Sequence, residues 1–281
     1  VPELPEVETI RRELEPVLAG CTIVHAEIGD PRLSRPRAPE ELAAALGGER
    51  IVALERRGKY LLLRLASGRA LAVHLRMTGS LRRLGAGAPA DPYRRALLEL
   101  DDGSRIDYRD VRRFGTWRLL EAGELESFLA ERLGPEPLSP EFTPELLRDR
   151  LAGRRAPLKS ALLDQRTLAG LGNIYVDEAL WRARLHPATP AGSLGKRALT
   201  RLHESIRMTL ETGIAHQGAT LRDYALPSGE TGSMQSEFRI YGRGGEPCER
   251  CGAAISKTRI AGRGTWYCPR CQRRLDRRDR S

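Results

Sequence analysis

Gly134-Pro135-Glu136-Pro137-Leu138-Ser139-Pro140 divides the chain. Three prolines in six residues remove amide donors and fix φ, so neither a helix nor a central strand runs through it, and 134–140 reads as a linker. Ahead of it, Val7, Ile10, Leu14, Val17 and Leu18 recur at helical spacing between Pro5 and Gly20, which predicts an amphipathic helix carrying the N-terminus on its leading end. Short apolar or alternating runs follow at 51–54, 60–65, 70–75, 96–100 and 105–108, with Ser67-Gly68 and Asp102-Gly103 as turns between them. That half is antiparallel and β-rich. Behind the linker a helix begins at Thr143-Pro144, and helical stretches follow at 158–165, 173–184 and 194–212. From about Phe238 the pattern becomes a small cysteine-bounded module. The expected fold class is therefore α+β and multidomain: a β-rich domain at 1–133, the linker at 134–140, a helical domain at 141–237, the cysteine module at 238–272 and a basic tail at 273–281.

Length and charge narrow the classes. A chain of 281 residues buries a real core and suits two domains better than one. No segment is apolar enough to span a bilayer, so no membrane association is expected. Glu3, Glu6, Glu8, Arg11, Arg12, Glu13 and Glu15 exclude the apolar centre of a signal peptide and predict a cytoplasmic protein. Net charge is +10, and residues 248–281 carry ten Lys or Arg against three Asp or Glu. Such an end favours a polyanion, and within the cysteine frame nucleic acid; beyond the last cysteine, Arg273 to Arg280 reads as a solvated tail. Of 47 basic residues only four are lysine, and Asn173 is the sole asparagine, a bias expected of a GC-rich genome. It draws attention to Lys59, Lys159 and Asn173, although Lys196 and Lys257 also survive.

Three constellations carry chemistry. Cys248 and Cys251 are separated by two residues, as are Cys268 and Cys271, with sixteen residues between the pairs; this predicts one structural zinc on four thiolates. Between the pairs, Thr258-Arg259-Ile260-Ala261-Gly262-Arg263-Gly264-Thr265-Trp266-Tyr267 reads as a hairpin whose tip presents Arg263. Gly170-Leu171-Gly172-Asn173-Ile174-Tyr175 joins two helices through a glycine turn, built either to aim amides at a phosphate or simply for packing. At the start, Pro2 would carry a nucleophilic secondary amine if exposed as the terminus, with Glu3 beside it as acid or base; otherwise it only precedes a helix opened by Pro5.

With these pieces assembled, the chain resembles the bacterial formamidopyrimidine-DNA glycosylase family nearly end to end. The resemblance rests on Pro2-Glu3-Leu4-Pro5-Glu6-Val7-Glu8-Thr9, Arg57-Gly58-Lys59-Tyr60, His74-Leu75-Arg76-Met77-Thr78-Gly79, Arg112-Arg113-Phe114-Gly115, Leu133-Gly134-Pro135-Glu136-Pro137-Leu138, Gly172-Asn173-Ile174-Tyr175, Tyr241-Gly242-Arg243 and the cysteine module. It implies an N-terminal β-sandwich with flanking helices, a helix-two-turn-helix domain and a zinc-finger β-hairpin. It also implies base-excision repair of oxidised purines (8-oxoguanine and formamidopyrimidines) in double-stranded DNA, with cleavage of the abasic site through β- and δ-elimination; a monomer is the default expectation.

By resemblance Pro2 attacks C1′, Glu3 is general acid and base, Lys59 assists, and Arg263 contributes to elimination. Met77 and Phe114 wedge the vacated step while Arg112 faces the orphaned cytosine. His74, Arg154, Lys159, Asn173 and Tyr241 correspond to phosphate or sugar contacts, and Thr220, Leu221, Arg222, Asp223 and Tyr224 to the loop holding the flipped base. Two departures stand out. Tyr93 occupies a DNA-contact position that is commonly histidine, so the contact stays with tyrosine or moves to Arg94 or Arg95; Thr78 replaces a glutamate of some relatives. The sister endonuclease VIII type, which acts on oxidised pyrimidines, shares Pro2, Glu3 and the zinc module, but Leu4 with Met77, Arg112 and Phe114 favours the purine enzyme. A non-catalytic DNA-binding relative is disfavoured because Pro2, Glu3 and Lys59 are all present. Val1 precedes the proposed nucleophile, and the expectation is that it translates a GTG start codon literally and is removed in the active enzyme.

Overall fold

The computed structural model describes residues 2–85, 87–89, 91–221 and 224–274. The chain clusters into two compact units, Val1–Glu131 with Ile214–Gln235, and Arg132–Gly213 with Ser236–Ser281.

The first unit opens with α1 (Leu4–Leu18), followed by β1 (Ile23–Ile28), α2 (Pro31–Ser34), α3 (Pro39–Leu46), β2 (Ile51–Arg57), β3 (Tyr60–Leu65), β4 (Ala70–His74), β5 (Gly79–Leu84), β6 (Arg94–Leu100), β7 (Arg105–Asp110), β8 (Thr116–Leu120) and α4 (Glu124–Ala130). The strands form two four-stranded antiparallel sheets, ordered β1-β6-β7-β5 and β2-β3-β4-β8. Leu14 and Leu18 of α1 join Leu61, Leu63, Leu71, Val73, Leu81, Leu98, Ile106 and Trp117 in one core, so the sheets make the expected sandwich. Strands β1, β5 and β8 lie outside the apolar runs read from the sequence. β5 is Gly-Ser-Leu-Arg-Arg-Leu, whose only fully apolar inward position is Leu81, and its pairing with β7 is what makes it a strand.

Register decides where the loops go. His74 pairs with Tyr60 and Thr116 in one sheet, while Gly79 pairs with Asp110 and Arg94 with Arg109 in the other. Because β4 runs into β5 and β7 into β8, the turns at 57–60, 75–78 and 111–115 and the start of β6 gather at one end of the sandwich. Gly79 is needed there: a Cβ would lie 2.4 Å from the Leu75 carbonyl oxygen.

The second unit contains α5 (Pro144–Leu151), α6 (Leu158–Leu163), α7 (Asn173–Ala183), most of α8 (Lys196–Ala215) and the hairpin β9 (Ser256–Ile260) with β10 (Arg263–Tyr267). Thr143 Oγ1 accepts from the Leu146 N–H at 3.2 Å and caps α5. The proline-rich stretch carries neither helix nor strand, and it is tied down locally: Gly134 N–H donates to Gln165 O at 2.8 Å and Ala169 N–H to Pro135 O at 3.0 Å. Ala261 and Gly262, with φ of +48° and +75°, close the β9–β10 hairpin as a two-residue turn of the primed kind. No described helix is long and apolar enough to cross a membrane.

Candidate active site and metal centre

In the first unit, Pro2 is buried and Glu3, at 2% exposure, is the N-cap of α1. The sequence Glu3-Leu4-Pro5-Glu6 closes a capping box in which the Glu6 carboxylate accepts the Glu3 backbone N–H at 2.8 Å. The other Glu6 oxygen accepts the Ala219 N–H at 2.8 Å, so one buried carboxylate links the start of α1 to the segment leading into 220–224. Gly218 (φ +78°) lies against this side chain, and a Cβ there would meet Glu6 Cγ at 2.7 Å. Motif reading does not reveal this role of Glu6; its one local signal is the Glu-x-x-Glu capping spacing.

The loop expected to hold a flipped base is pinned at both sides. Thr220 N–H donates to Gln235 Oε1 at 2.9 Å, Thr220 Oγ1 accepts from Gly232 N–H, and buried Tyr224 donates to Gln217 O at 3.1 Å. Leu221 is exposed; Arg222 and Asp223 lie outside the described residues.

At the loop end of the sandwich, Lys59 is half-buried on the β2–β3 turn and His74 ends β4 with its ring edge-on to Tyr60. His74 Nδ1 accepts the Arg76 N–H at 3.0 Å. Burial, reinforced by the Arg76 and Lys59 charges, pushes its imidazole down from 6.5 to about 3. The unfolded chain therefore takes up a proton below about pH 6.5 that the folded protein refuses until about pH 3. This histidine removes no stability above that window and progressively more as pH falls through it. Denaturant melts at about pH 6.5 and about pH 5 are expected to differ by ~2 kcal/mol more in the native protein than in His74→Gln.

Asp110, 1% exposed, organises the neighbouring loops. It accepts from Thr78 Oγ1, from the Gly115 N–H at 2.8 Å and from Tyr108 Oη at 3.4 Å, and its own N–H donates to Tyr93 O at 3.0 Å. Thr78 Oγ1 in turn accepts the Arg112 N–H at 3.0 Å. The turn bearing Met77 and the turn bearing Arg112 and Phe114 are thus joined by one hydroxyl and one carboxylate. Phe114 is 50% exposed with the Arg112 guanidinium 4.8 Å above its ring, and Asp30 holds Arg113 through two hydrogen bonds at 2.6 and 3.0 Å. Tyr93, 42% exposed, lies under the Arg109 guanidinium at 4.9 Å, so a cationic surface adjoins it. Thr78→Val is expected to destabilise the protein by about 1–3 kcal/mol in denaturant melts and to speed exchange of the Arg112 amide, because a buried carboxylate loses a donor and an amide its acceptor.

In the second unit the sulfur atoms of Cys248, Cys251, Cys268 and Cys271 lie within 4.8 Å of one another. Tetrahedral Zn–S bonds of about 2.3 Å require sulfurs roughly 3.8 Å apart. The Cys251–Cys268 separation of 3.5 Å fits that and is far beyond a disulfide's ~2.05 Å. These thiolates hold one structural zinc, whose coordination is complete and so offers no open position for Lewis-acid chemistry. Trp181 Nε1 donates to Cys248 Sγ at 3.4 Å and Cys271 N–H to Cys268 Sγ at 3.4 Å, second-layer contacts of the kind that orient thiolate ligands.

Helix α7 meets the zinc module through two adjacent carboxylates that sequence reading missed. Glu178 accepts the backbone N–H groups of Arg239, Ile240 and Tyr241 at 2.8 to 3.1 Å, and Asp177 Oδ2 accepts that of Trp266 at 3.1 Å. Asn173 Nδ2 donates to Gly264 O at 3.0 Å. Lys159, expected at the DNA, is fully buried; Asp177 Oδ1 and Gly264 O each lie 2.8 Å from its ammonium. In this structure it grips protein. Tyr241 stacks obliquely on Trp266, Arg154 pairs with Asp164 at 3.2 Å, and Arg263 stands exposed at the hairpin tip.

Three family models match the chain: the formamidopyrimidine-DNA glycosylase N-terminal domain over 1–117, the H2TH domain of the same glycosylase over 133–225, and a zinc finger found in FPG and IleRS over 245–274. The formamidopyrimidine-DNA glycosylase of Chloroflexus aggregans is 47% identical over 256 residues, 91% of this chain and 92% of the relative. That of Bacillus subtilis is 45% identical over 257 residues, 91% and 93% of the two chains. Among solved structures, the Lactococcus lactis Fpg bound to abasic-site DNA superposes with a TM-score of 0.91 at 41% identity, covering 97% of this chain and all of that one. Its complex with Fapy-dG-containing DNA gives 0.90 at 40% identity with the same coverage.

Proposed function

The chain belongs to the formamidopyrimidine-DNA glycosylase family, and on that premise we propose that it excises oxidised purines from duplex DNA and cleaves the resulting abasic site through a covalent intermediate on Pro2. The observation that carries this reading is the arrangement at the head of α1: Pro2 and Glu3 are buried on a capped helix end whose Glu6 also ties down the segment before 220–224. The positive end of a helix disfavours an ammonium there, which helps keep a free Pro2 amine neutral and nucleophilic.

The Pro2 nitrogen attacks C1′, the bond from C1′ to the base breaks, and the departing base takes a proton. The Pro2 nitrogen gives up its proton, the sugar ring opens as the C1′–O4′ bond breaks and O4′ takes a proton, and the iminium so formed acidifies the C2′ proton; its removal expels the 3′ phosphate, and a second elimination expels the 5′ phosphate. Glu3 exchanges protons at the sugar, Lys59 assists, and Arg263 contributes to elimination. Extruding the base costs a few kcal/mol, less at a damaged pair. Met77 and Phe114 fill the vacated step and Arg112 faces the cytosine; the Thr78–Asp110 link supports this by holding their two turns together. His74, Tyr93, Arg154, Asn173 and Tyr241 serve the phosphates and sugars, Lys159 acting through protein instead, and Thr220, Leu221, Arg222, Asp223 and Tyr224 hold the flipped base.

On this reading 1–133 supplies Pro2, Glu3 and Lys59, 141–237 and the zinc module grip duplex DNA while adding the base-holding loop and Arg263, and a cytoplasmic monomer suffices. Borohydride trapping tests it. A covalent adduct with a duplex bearing 8-oxoguanine opposite cytosine, formed faster than with thymine glycol, is expected. Preference for thymine glycol would move the chain to the endonuclease VIII activity, and no adduct with either would leave only DNA binding.

A further inference from the structure

Lys159 and Asp177 are both fully buried in the second unit, and burying two charges costs several kcal/mol each before their attraction offsets it. An apolar pair would fill the space at less expense. What it would lack is the ability to hold backbone groups at set positions, and both side chains do so on the same strand. The Lys159 ammonium donates to Gly264 O at 2.8 Å, Asp177 Oδ2 accepts the Trp266 N–H at 3.1 Å, and Asn173 Nδ2 adds a second donor to Gly264 O at 3.0 Å.

The register explains why those groups are available. Around the two-residue turn, Arg263 pairs with Ile260 and Thr265 with Thr258, so backbone groups of residues 263 and 265 face β9 while those of 264 and 266 face away. Lys159, Asn173 and Asp177 therefore cover the open edge of β10 where another strand would otherwise pair. The zinc fixes the other end: Cys268 directly follows Tyr267, and Cys251 lies ahead of β9. Buried Thr265 completes the tip by donating to Arg263 O at 3.1 Å.

We propose that Lys159 and Asp177 form a buried latch that sets the height and register of the hairpin tip, and are positioning residues for Arg263. The claim rests on the reading of Arg263 as a participant in strand cleavage. Neither latch residue needs to touch DNA.

The test uses zinc-loaded full-length protein carrying the paired change Lys159→Met with Asp177→Leu, chosen to keep the space filled, and separately Asp177→Asn, which keeps an acceptor for Trp266. Zinc content, amide exchange at Trp266 and single-turnover cleavage of a duplex with a preformed abasic site are read out. Expected are one zinc per chain, faster Trp266 exchange, and cleavage slowed about 10- to 100-fold in the paired variant, since misplacement by about an ångström costs that much. Asp177→Asn should lose less. Adding Arg263→Ala to the paired variant should slow it little further, because both changes remove one function. Unchanged Trp266 exchange, or cleavage at the native rate, overturns the latch; so does a full multiplicative loss on adding Arg263→Ala. If Arg263→Ala alone cleaves normally, the Arg263 reading falls, while Trp266 exchange still decides whether the latch holds the tip. Should the paired variant fail to retain zinc, Asp177→Asn carries the decision through abasic-site cleavage, a native rate overturning the latch.

Discussion

Glu3→Gln is expected to slow base release by about 10²- to 10⁴-fold, the range supplied by a positioned acid or base, with little change in the melting of the first unit. The reasoning separates chemistry from structure. The Glu3 N–H is held by Glu6 whatever side chain it carries, and glutamine keeps an oxygen for the N-capping contact. What it loses is the ability to move a proton. Single-turnover release of 8-oxoguanine, with thermal melts run alongside, checks this. Native-like turnover in a correctly folded Glu3→Gln protein would remove Glu3 from the mechanism and leave Pro2 without its proton partner.

Cys248→Ser is expected to abolish stoichiometric zinc and, with it, the hairpin. Apparent zinc-binding energies of about 10–16 kcal/mol are the scale on which such small modules fold at all, and Ile240, Ile255 and Trp181 with the cysteines make only a small cluster. Affinity for a lesion-bearing duplex should weaken by about 100-fold or more, ~2.7 kcal/mol, because Arg263 and its neighbours lose their support. The first unit should still melt cooperatively, since none of the four ligands lies in it. Metal analysis and titration of labelled duplex give the answer. Full affinity without zinc would mean that the hairpin does not contribute to binding.

The His74 and Thr78 predictions differ in kind from these. They concern residues whose surroundings set their behaviour: an imidazole kept neutral by burial, and a hydroxyl between a carboxylate and an amide. In the sequence, His74 and Thr78 are legible only as parts of a family motif, since neither spacing nor composition states that the strands they border belong to different sheets. Strands β1, β5 and β8 escaped for a related reason. Half-buried strands of five or six residues, two of them interrupted by arginine, carry little local periodicity, and pairing decides them.

What the sequence by itself determined was everything encoded within a few residues. Helical spacing announced α1, the prolines at 135, 137 and 140 excluded helix and strand, and cysteine spacing specified a four-thiolate zinc site. Ligand distance and residue period are local, so they survive without the fold. Only the tertiary structure decided the partners of Glu6, Asp110, Asp177 and Lys159. Glu6 meets Ala219 across 213 residues of chain, and Lys159 meets Gly264 across 105. The physical reason is that a buried carboxylate or ammonium takes whichever backbone groups folding has stripped of water, and that set exists only once distant segments have packed.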